Sequence, residues 1–121
     1  MLESPQRTVL IVDNDPWDRW LATHVLAAQD YHVVSASNGV SALRLAEQHP
    51  CDAILIDLAL PELQGPEMLQ QLRATAATRD VPVIVLGARA TRPDCCAEGW
   101  VPKPLDERRV TTEVDRVLSA T

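Results

Sequence analysis

Positive charge is scarce in this sequence. Its 121 residues include 11 Lys and Arg against 17 Asp and Glu, which gives a formal net charge of −6 at pH 7. Proteins that bind nucleic acid contact its phosphates through clustered basic side chains. The shortage of such side chains argues against direct binding of DNA or RNA.

Long apolar runs and cysteines at metal-ligand spacing are also missing. No segment approaches the roughly 18 consecutive apolar residues of a membrane-spanning helix, so we expect no membrane insertion. The cysteines are Cys51, Cys95 and Cys96, an odd number in which the adjacent pair would form a strained disulfide. Free thiols are typical of a reducing compartment, and we predict a cytoplasmic protein.

Apolar residues make up 46% of the chain, enough for one hydrophobic core, and we predict a single domain over residues 1–121. Five short apolar runs predict strands. The third and fourth are almost continuously apolar, which is typical of strands covered on both faces of a parallel sheet. The runs are Thr8–Val12, Tyr31–Ala36, Ala53–Asp57, Val81–Gly87 and Gly99–Lys103.

Segments of helical period alternate with these runs. Asp15 and Asn38 are suited to cap helices that follow them, a third helix is predicted from Gly65, and a last one from about Leu105. Residues 88–98 are short and interrupted by a proline, so any helix there is predicted to be short or irregular. Strict alternation predicts a doubly wound α/β fold, with helices on both faces of a parallel sheet.

Polar residues stand where several predicted strands end. Asp13, Asn14 and Asp15 follow the first strand, Asp57 ends the third, and Lys103 ends the fifth. In a doubly wound sheet, ligands bind beyond the carboxyl ends of the strands. Two acidic strand ends and a lysine around one crevice suit a hard cation such as Mg²⁺ beside a phosphoryl group. The sequence therefore predicts a phosphoryl-transfer site at this edge.

In these motifs the chain resembles the receiver domain of two-component response regulators, over essentially its whole length. The motifs are "IVDNDP" at the first strand, "LIDLALPELQG" at the third and "PKP" at the fifth. Pro61 and Gly65 follow Asp57 at the offsets that the family shows after its phosphoaccepting aspartate. The resemblance implies a flavodoxin-like sheet with strand order 2-1-3-4-5.

The resemblance also implies a role for each site residue. Asp57 would accept a phosphoryl group, and Lys103 would pair with the phosphoryl oxygens. Mg²⁺ would be held by Asp13, Asp57, the backbone carbonyl of Ala59 and the side chain at position 14, here Asn14. A carboxylate attacks a charged phosphoryl group poorly unless cations screen the repulsion.

Partners follow from the same resemblance. A histidine kinase or phosphotransfer protein would supply the phosphoryl group, and an output domain, a separate protein or a second copy of the chain would receive the signal. The chemistry expected is weak self-catalysed phosphoryl transfer and dephosphorylation, so we do not expect an enzyme in the ordinary sense. The Lys103–Pro104 peptide bond would be cis, which X-Pro bonds adopt at small cost.

Three positions depart from the family pattern. Asn14 replaces an acidic metal ligand, which predicts a lower affinity for Mg²⁺. Gly87 stands where the family has a hydroxyl that meets the phosphoryl group, and Trp100 occupies the place of the switch aromatic. The interval from Gly87 to Lys103 is also shorter than usual in the family.

Alternative interpretations remain open at this stage. The chain could be a pseudo-receiver that acts as a phosphorylation-independent interaction module on the same fold. A flavin-binding domain of this topology would need a loop rich in Ser, Thr and Gly after the first strand, where this chain has the acidic "DNDPWDRW". Asp15 could be a helix cap or a ligand, and the Trp17 and Trp20 pair could pack within the helix or form a partner-binding face.

Overall fold

A computed structural model describes residues 6–57, 59, 65–87 and 97–119, and within these residues it contains five strands and four helices. All neighbouring strands are parallel, in the order β2-β1-β3-β4-β5. The predicted flavodoxin-like order is therefore confirmed. The strands are β1 (Thr8–Val12), β2 (His32–Ala36), β3 (Ala53–Asp57), β4 (Val83–Gly87) and β5 (Gly99–Pro102).

The helices begin close to their predicted starts. The last one starts at Glu107 rather than at Leu105, because the Asp106 side chain accepts the N–H groups of Arg108 and Arg109 and so caps it. The short or irregular helix predicted between β4 and β5 falls within residues 88–98, of which residues 88–96 lie outside the described residues. The helices are α1 (Pro16–Ala28), α2 (Gly39–Gln48), α3 (Gly65–Ala74) and α4 (Glu107–Ser119).

Three strands are shorter than predicted. The N–H of Tyr31 bonds to Leu26 and the N–H of Val81 bonds to Thr78, so these residues belong to the turns that precede β2 and β4. β5 ends at Pro102, one residue before Lys103. Lys103 therefore lies in the turn that follows β5.

Helices cover both faces of the sheet, as the apolar patterns predicted. One core cluster packs α1 and α4 on alternate residues of β1, β3 and β4, and a second packs α2 and α3 on the residues between them. β3 and β4 are buried along their whole length, which explains their nearly continuous apolar sequences. The carboxyl ends of the strands are left free to form the site.

The sequence spacing of Trp17, Leu21, Val25 and Ala28 predicts one apolar face on α1, but the structure buries that face only in part. Val25 is buried as expected, but Trp17 at the start of that face is 65% exposed. The buried residues of the helix are Ala22, Val25 and Leu26. The buried face of α1 is therefore turned away from Trp17. The small side chain of Ala22 on that face allows the helix to pack closely against the sheet.

Candidate functional site

The Lys103 ammonium lies at the centre of three carboxylates at the carboxyl edge of the sheet. Its Nζ is 2.9 Å from Asp13 Oδ2, 2.8 Å from Asp18 Oδ2 and 2.8 Å from Asp57 Oδ2. The structure therefore brings together Asp13, Asp57 and Lys103, three of the charged residues that the sequence predicts at the strand ends. It adds a fourth charged residue, Asp18, from α1.

Asp13 is held in place by the chain on both sides of it. It follows β1, it is fully buried, and its Oδ1 accepts the N–H of Asp15 at 2.9 Å. Its backbone carbonyl accepts a hydrogen bond from Arg19 Nη1 at 2.8 Å. These contacts fix Asp13 Oδ2 towards Lys103.

Asp57 ends β3 and is 9% exposed. Its two carboxylate oxygens have different partners: Oδ1 accepts the backbone N–H of Ala59 at 2.9 Å, and Oδ2 accepts from Lys103. The carboxylate is therefore oriented by the loop that follows its own strand and by a lysine from the far edge of the sheet. Pro61, the other residue of this motif, lies outside the described residues.

Lys103 reaches the other strand ends from the turn after β5. Its backbone N–H donates to the carbonyl of Gly87 at 3.2 Å, which ties the turn to the end of β4. The Lys103–Pro104 bond is cis, as predicted. The side chain thus starts from a backbone that is anchored to the neighbouring strand.

Asp18 is the site residue that the sequence analysis missed. It lies in the first turn of α1, and its side chain is 14% exposed. The available signal was its position three residues after the helix cap Asp15, because side chains of a first helical turn face the end of the preceding strand. The structure confirms Asp15 as a cap, since its side chain accepts the N–H groups of Trp17 and Asp18.

Burial and charge act in opposite directions on the titrating groups of this cluster. Burial raises the pKa of Asp13 above its ordinary value, against the opposing effects of the nearby Lys103 ammonium and of the hydrogen bond from the Asp15 N–H. Burial alone would lower the pKa of Lys103, but its contacts with Asp18, Asp57 and Asp13 outweigh burial and raise it. The lysine is therefore charged at neutral pH.

The donors at this edge fit a Mg²⁺ ion. Asp13 Oδ2 is buried and, among the described residues, has no partner of hydrogen-bond geometry, so its contact with Lys103 is an ion pair only. Mg²⁺ is commonly bound through one or two carboxylates and keeps several waters, a requirement that Asp13 and Asp57 meet. No group of three or more His, Cys, Asp or Glu side chains in the described ranges forms a ready-made metal cage.

Asn14 does not join the cluster. Its side chain is exposed, and it makes no hydrogen bond or ion pair with the rest of the described chain. Ala59 is also exposed. The metal-binding roles that the resemblance implies for the Asn14 side chain and the Ala59 carbonyl stay predictions.

The two switch positions lie on β4 and β5. Gly87 is buried at the end of β4, opposite Pro102, and has no hydroxyl to offer. Trp100 is half-buried and packs on the core cluster that α2 and α3 cover. Its backbone N–H donates to Glu113 Oε2 at 2.9 Å, so α4 holds β5 next to the indole.

Trp17, Trp20 and His24 form an exposed row of stacked rings on α1. The ring centroids are 5.2 Å apart between the two tryptophans and 5.0 Å apart between Trp20 and His24. Trp17 and Trp20 are 65% and 53% exposed, so their packing is with each other rather than with the core. The histidines His32 and His49 are also exposed.

Comparison with known proteins identifies the family to which this chain belongs. The profile of the response regulator receiver domain matches residues 9–115. Protein PilH of Pseudomonas aeruginosa is 30% identical over 117 residues, which are 92% of this chain and 97% of PilH. The transcriptional regulatory protein KdpE of Mycobacterium tuberculosis is 36% identical over 102 residues, 79% of this chain but only 44% of KdpE.

A solved structure of a receiver domain also matches the fold of this chain. The receiver domain of sensor histidine kinase PA1611 from Pseudomonas aeruginosa, with a magnesium ion coordinated in its active site cleft, has a TM-score of 0.84 and 28% identity. The match covers 95% of this chain and 99% of that domain. The chain belongs to the response regulator receiver domain family and is a receiver domain of two-component signalling.

Receiver domains generally bind Mg²⁺ and interact with histidine kinases and output domains. Among the described residues, no helix is both long and apolar enough to cross a membrane. Cys51 is a free thiol, and its partial burial and the nearby Asp52 raise its pKa to about 11. This thiol is therefore protonated at neutral pH and unreactive.

Proposed function

We propose that this receiver domain accepts a phosphoryl group on Asp57 from a histidine kinase or phosphotransfer protein and signals through protein–protein contacts. One observation carries the proposal: the Lys103 ammonium lies 2.8 Å from Asp57 Oδ2 at the carboxyl edge of the sheet. A carboxylate that is oriented, slightly exposed and paired with a fixed cation has the requirements of a phosphoryl acceptor.

In the transfer step, an oxygen of Asp57 forms a bond to phosphorus while the bond between phosphorus and the donor breaks. The N–H of Ala59 and the ammonium of Lys103 orient the carboxylate before attack. Lys103 then pairs with the phosphoryl oxygens and neutralises part of their charge. A bound Mg²⁺, held by Asp13 and Asp57 with the carbonyl of Ala59, would supply the remaining charge neutralisation.

This chemistry makes the domain a signalling component rather than an enzyme with its own substrate turnover. It would be restricted to receiving one phosphoryl group and slowly losing it to water. A cytoplasmic location belongs to the same proposal, because the free thiol of Cys51 persists in a reducing compartment.

The affinity for Mg²⁺ is proposed to be lower than that of a receiver with an acidic residue at position 14. Asn14 is neutral and exposed, so it contributes no charge to the cation. Ligand charge is one of the properties that set the affinity of oxygen sites for divalent cations. The site would then need a higher Mg²⁺ concentration to accept a phosphoryl group.

The exposed stack of Trp17, Trp20 and His24 is the proposed docking face for the phosphoryl donor. It lies on α1, whose first turn contributes Asp18 to the site, so a protein on this face would approach Asp57. Aromatic side chains are enriched where proteins bind each other. The downstream contact would be with an output domain, a separate protein or a second copy of the domain.

The proposed phosphoryl transfer is tested with acetyl phosphate and Mg²⁺. We expect mass spectrometry to find an added phosphoryl group on the peptide that contains Asp57, in the wild type and in an Asp80→Asn control. Asp80 is exposed in the turn before β4, so its substitution matches the charge change without touching the site. The Asp57→Asn variant should carry no such group.

A second candidate function is favoured by Gly87 and Asn14, which remove a hydroxyl and a charge from the functional edge. It is a pseudo-receiver that binds its partners without phosphorylation. Absence of the phosphoryl group from wild-type Asp57 at saturating acetyl phosphate and Mg²⁺ would favour this candidate over the first.

A further inference from the structure

The Lys103 ammonium has three N–H donors, and three carboxylate oxygens stand within 2.9 Å of it. Two of them come from the strand ends of β1 and β3, and the third comes from Asp18 on α1. We propose that Asp18 is a positioning residue of the phosphoryl site, which holds Lys103 beside Asp57 when a cation occupies Asp13 and Asp57. This inference rests on the proposed function.

The local structure fixes Asp18 for this role. The Asp15 side chain caps α1 by accepting the N–H groups of Trp17 and Asp18, at 2.8 and 3.4 Å. Asp18 therefore stands in a defined first turn, where the helix dipole favours a negative charge. Its carboxylate is only 14% exposed, and its Oδ2 lies 2.8 Å from Lys103 Nζ.

The other two carboxylates cannot serve Lys103 and a metal ion equally. Asp13 and Asp57 each contact Nζ through Oδ2, and these are the residues that would hold Mg²⁺. An oxygen that binds the metal is withdrawn at least in part from the ammonium. A largely buried ammonium that loses its partners is strongly disfavoured, so a remaining carboxylate stabilises the loaded site.

The contact between Lys103 and Asp13 is one that the site can give up when a cation binds, because Asp13 is one of the residues that would hold the cation. Asp13 Oδ2 is buried and lacks a partner of hydrogen-bond geometry among the described residues, although it lies 2.9 Å from Nζ. Once Asp13 and Asp57 turn to the cation, Asp18 keeps one N–H of Lys103. The other two N–H groups then face the position of the phosphoryl oxygens.

Charge gives a second reason for this role. Asp13, Asp18 and Asp57 with Lys103 carry a net charge of −2, the same as a site with Asp at position 14 and a neutral residue at position 18. Asp18 therefore offsets the charge that Asn14 lacks, without itself taking the place of a metal ligand. Cation affinity depends on this net charge as well as on direct contacts.

The test compares Asp18→Asn with Asp15→Asn. Both remove one negative charge from the same helix end, and Asn at position 15 still caps α1. With Mg²⁺ alone as the probe and Trp fluorescence as the signal, we expect Asp18→Asn to weaken binding roughly tenfold and Asp15→Asn less than about twofold. Equal affinities of the two variants, or no Mg²⁺ binding by the wild type, would overturn the proposal.

A second measurement follows Lys103 directly, so that the result does not depend on affinity alone. In the Mg²⁺-loaded wild type, the nuclear magnetic resonance signal of the Lys103 ammonium protons should exchange slowly with water. In Asp18→Asn we expect exchange to be roughly tenfold faster, since one of the three N–H groups exchanges a charged carboxylate acceptor for a weaker, neutral amide oxygen. Unchanged exchange in a folded Asp18→Asn variant would contradict the proposal.

These outcomes are distinct from a failure of the proposed function. Wild-type protein that is phosphorylated on Asp57, with equal Mg²⁺ affinities in the two variants, would refute the role of Asp18 alone. Wild-type protein that takes no phosphoryl group, but whose Mg²⁺ binding is selectively weakened by Asp18→Asn, would refute phosphoryl transfer and leave the role of Asp18 standing.

Discussion

The phosphoryl site and the switch region of this domain differ in what they keep of the family pattern. The phosphoryl site, formed by Asp13, Asp57 and Lys103 with Asp18 added, has its charged groups within 2.9 Å of one ammonium. The switch region, formed by Gly87 and Trp100, has no hydroxyl at position 87, and its indole packs on the core cluster that α2 and α3 cover. The first region has the charged groups that the proposed phosphoryl transfer requires, whereas the second lacks the hydroxyl of the family pattern.

The difference teaches that accepting a phosphoryl group and responding to it are separate requirements. The first depends on a few charged atoms at the ends of three strands. The second depends on contacts that differ between two conformations, because a ligand shifts an equilibrium only by its differential interaction. Without a hydroxyl at position 87, the phosphoryl group has one contact fewer with which to favour an active conformation.

The largest effect is expected from Asp13→Asn. It removes a fully buried carboxylate from the proposed cation site, and we expect Mg²⁺ affinity to fall by about 100-fold or more. The same variant should be more stable than the wild type, because burial raises the pKa of Asp13 and so penalises its charge even beside Lys103. Mg²⁺ titration and urea unfolding measure the two effects, and a destabilised variant would contradict this view of Asp13.

The stability difference should depend on pH. Because the pKa of Asp13 is raised in the folded state, its ionisation costs stability as pH rises through that folded-state value. Below about pH 4, where an unfolded aspartate is also protonated, wild type and Asp13→Asn should be equally stable. The gap should open as pH increases towards 7, and unfolding at several pH values checks this.

A smaller change is expected from Asn14→Asp. The substitution adds one negative charge beside the cation site, and we expect Mg²⁺ to bind roughly tenfold more tightly. Trp17 is three residues away on an exposed surface and serves as the fluorescent reporter. Equal Mg²⁺ affinities of the wild type and Asn14→Asp would mean that position 14 does not face the ion. The replacement of the family's acidic residue by Asn14 would then have no effect on Mg²⁺ binding.

The smallest effect concerns the switch region. Glu113→Ala removes the acceptor of the Trp100 backbone N–H, and we expect a loss of about 1 kcal/mol in the free energy of unfolding. Glu47→Ala, at an exposed position of α2, is the matched control and should change the free energy of unfolding by less than about 0.5 kcal/mol. Similar losses in the two variants would show that Glu113 does not hold β5.

Much of the fold could be predicted because its signals are local. Asp15 and Asn38 cap their helices as their sequence positions indicated, and the continuous apolar runs of β3 and β4 reflect burial on both faces. The exposure of Trp17 could not be predicted from the helical spacing. Which face of α1 is buried depends on how Ala22 and Leu26 pack against the sheet, and that packing is tertiary structure.

The site could be predicted where its residues end strands, since parallel strands bring their carboxyl ends together. This holds for Asp13, Asp57 and Lys103. Asp18 was missed because its place depends on the direction of the first turn of α1 and on the reach of a lysine from the opposite edge of the sheet. That contact joins residues far apart in sequence, so the position of Asp18 in the first turn of α1 could not by itself reveal its partner.

The most direct test of an intact site with a weakened switch is a comparison of amide chemical shifts between the free domain and its beryllofluoride complex, a stable mimic of phosphorylated Asp57. We expect the changes to be confined to the neighbours of Asp13, Asp57 and Lys103. Large changes that run from residue 87 through residue 102 would contradict the weakened switch, and no change at all near Asp57 would contradict the intact site.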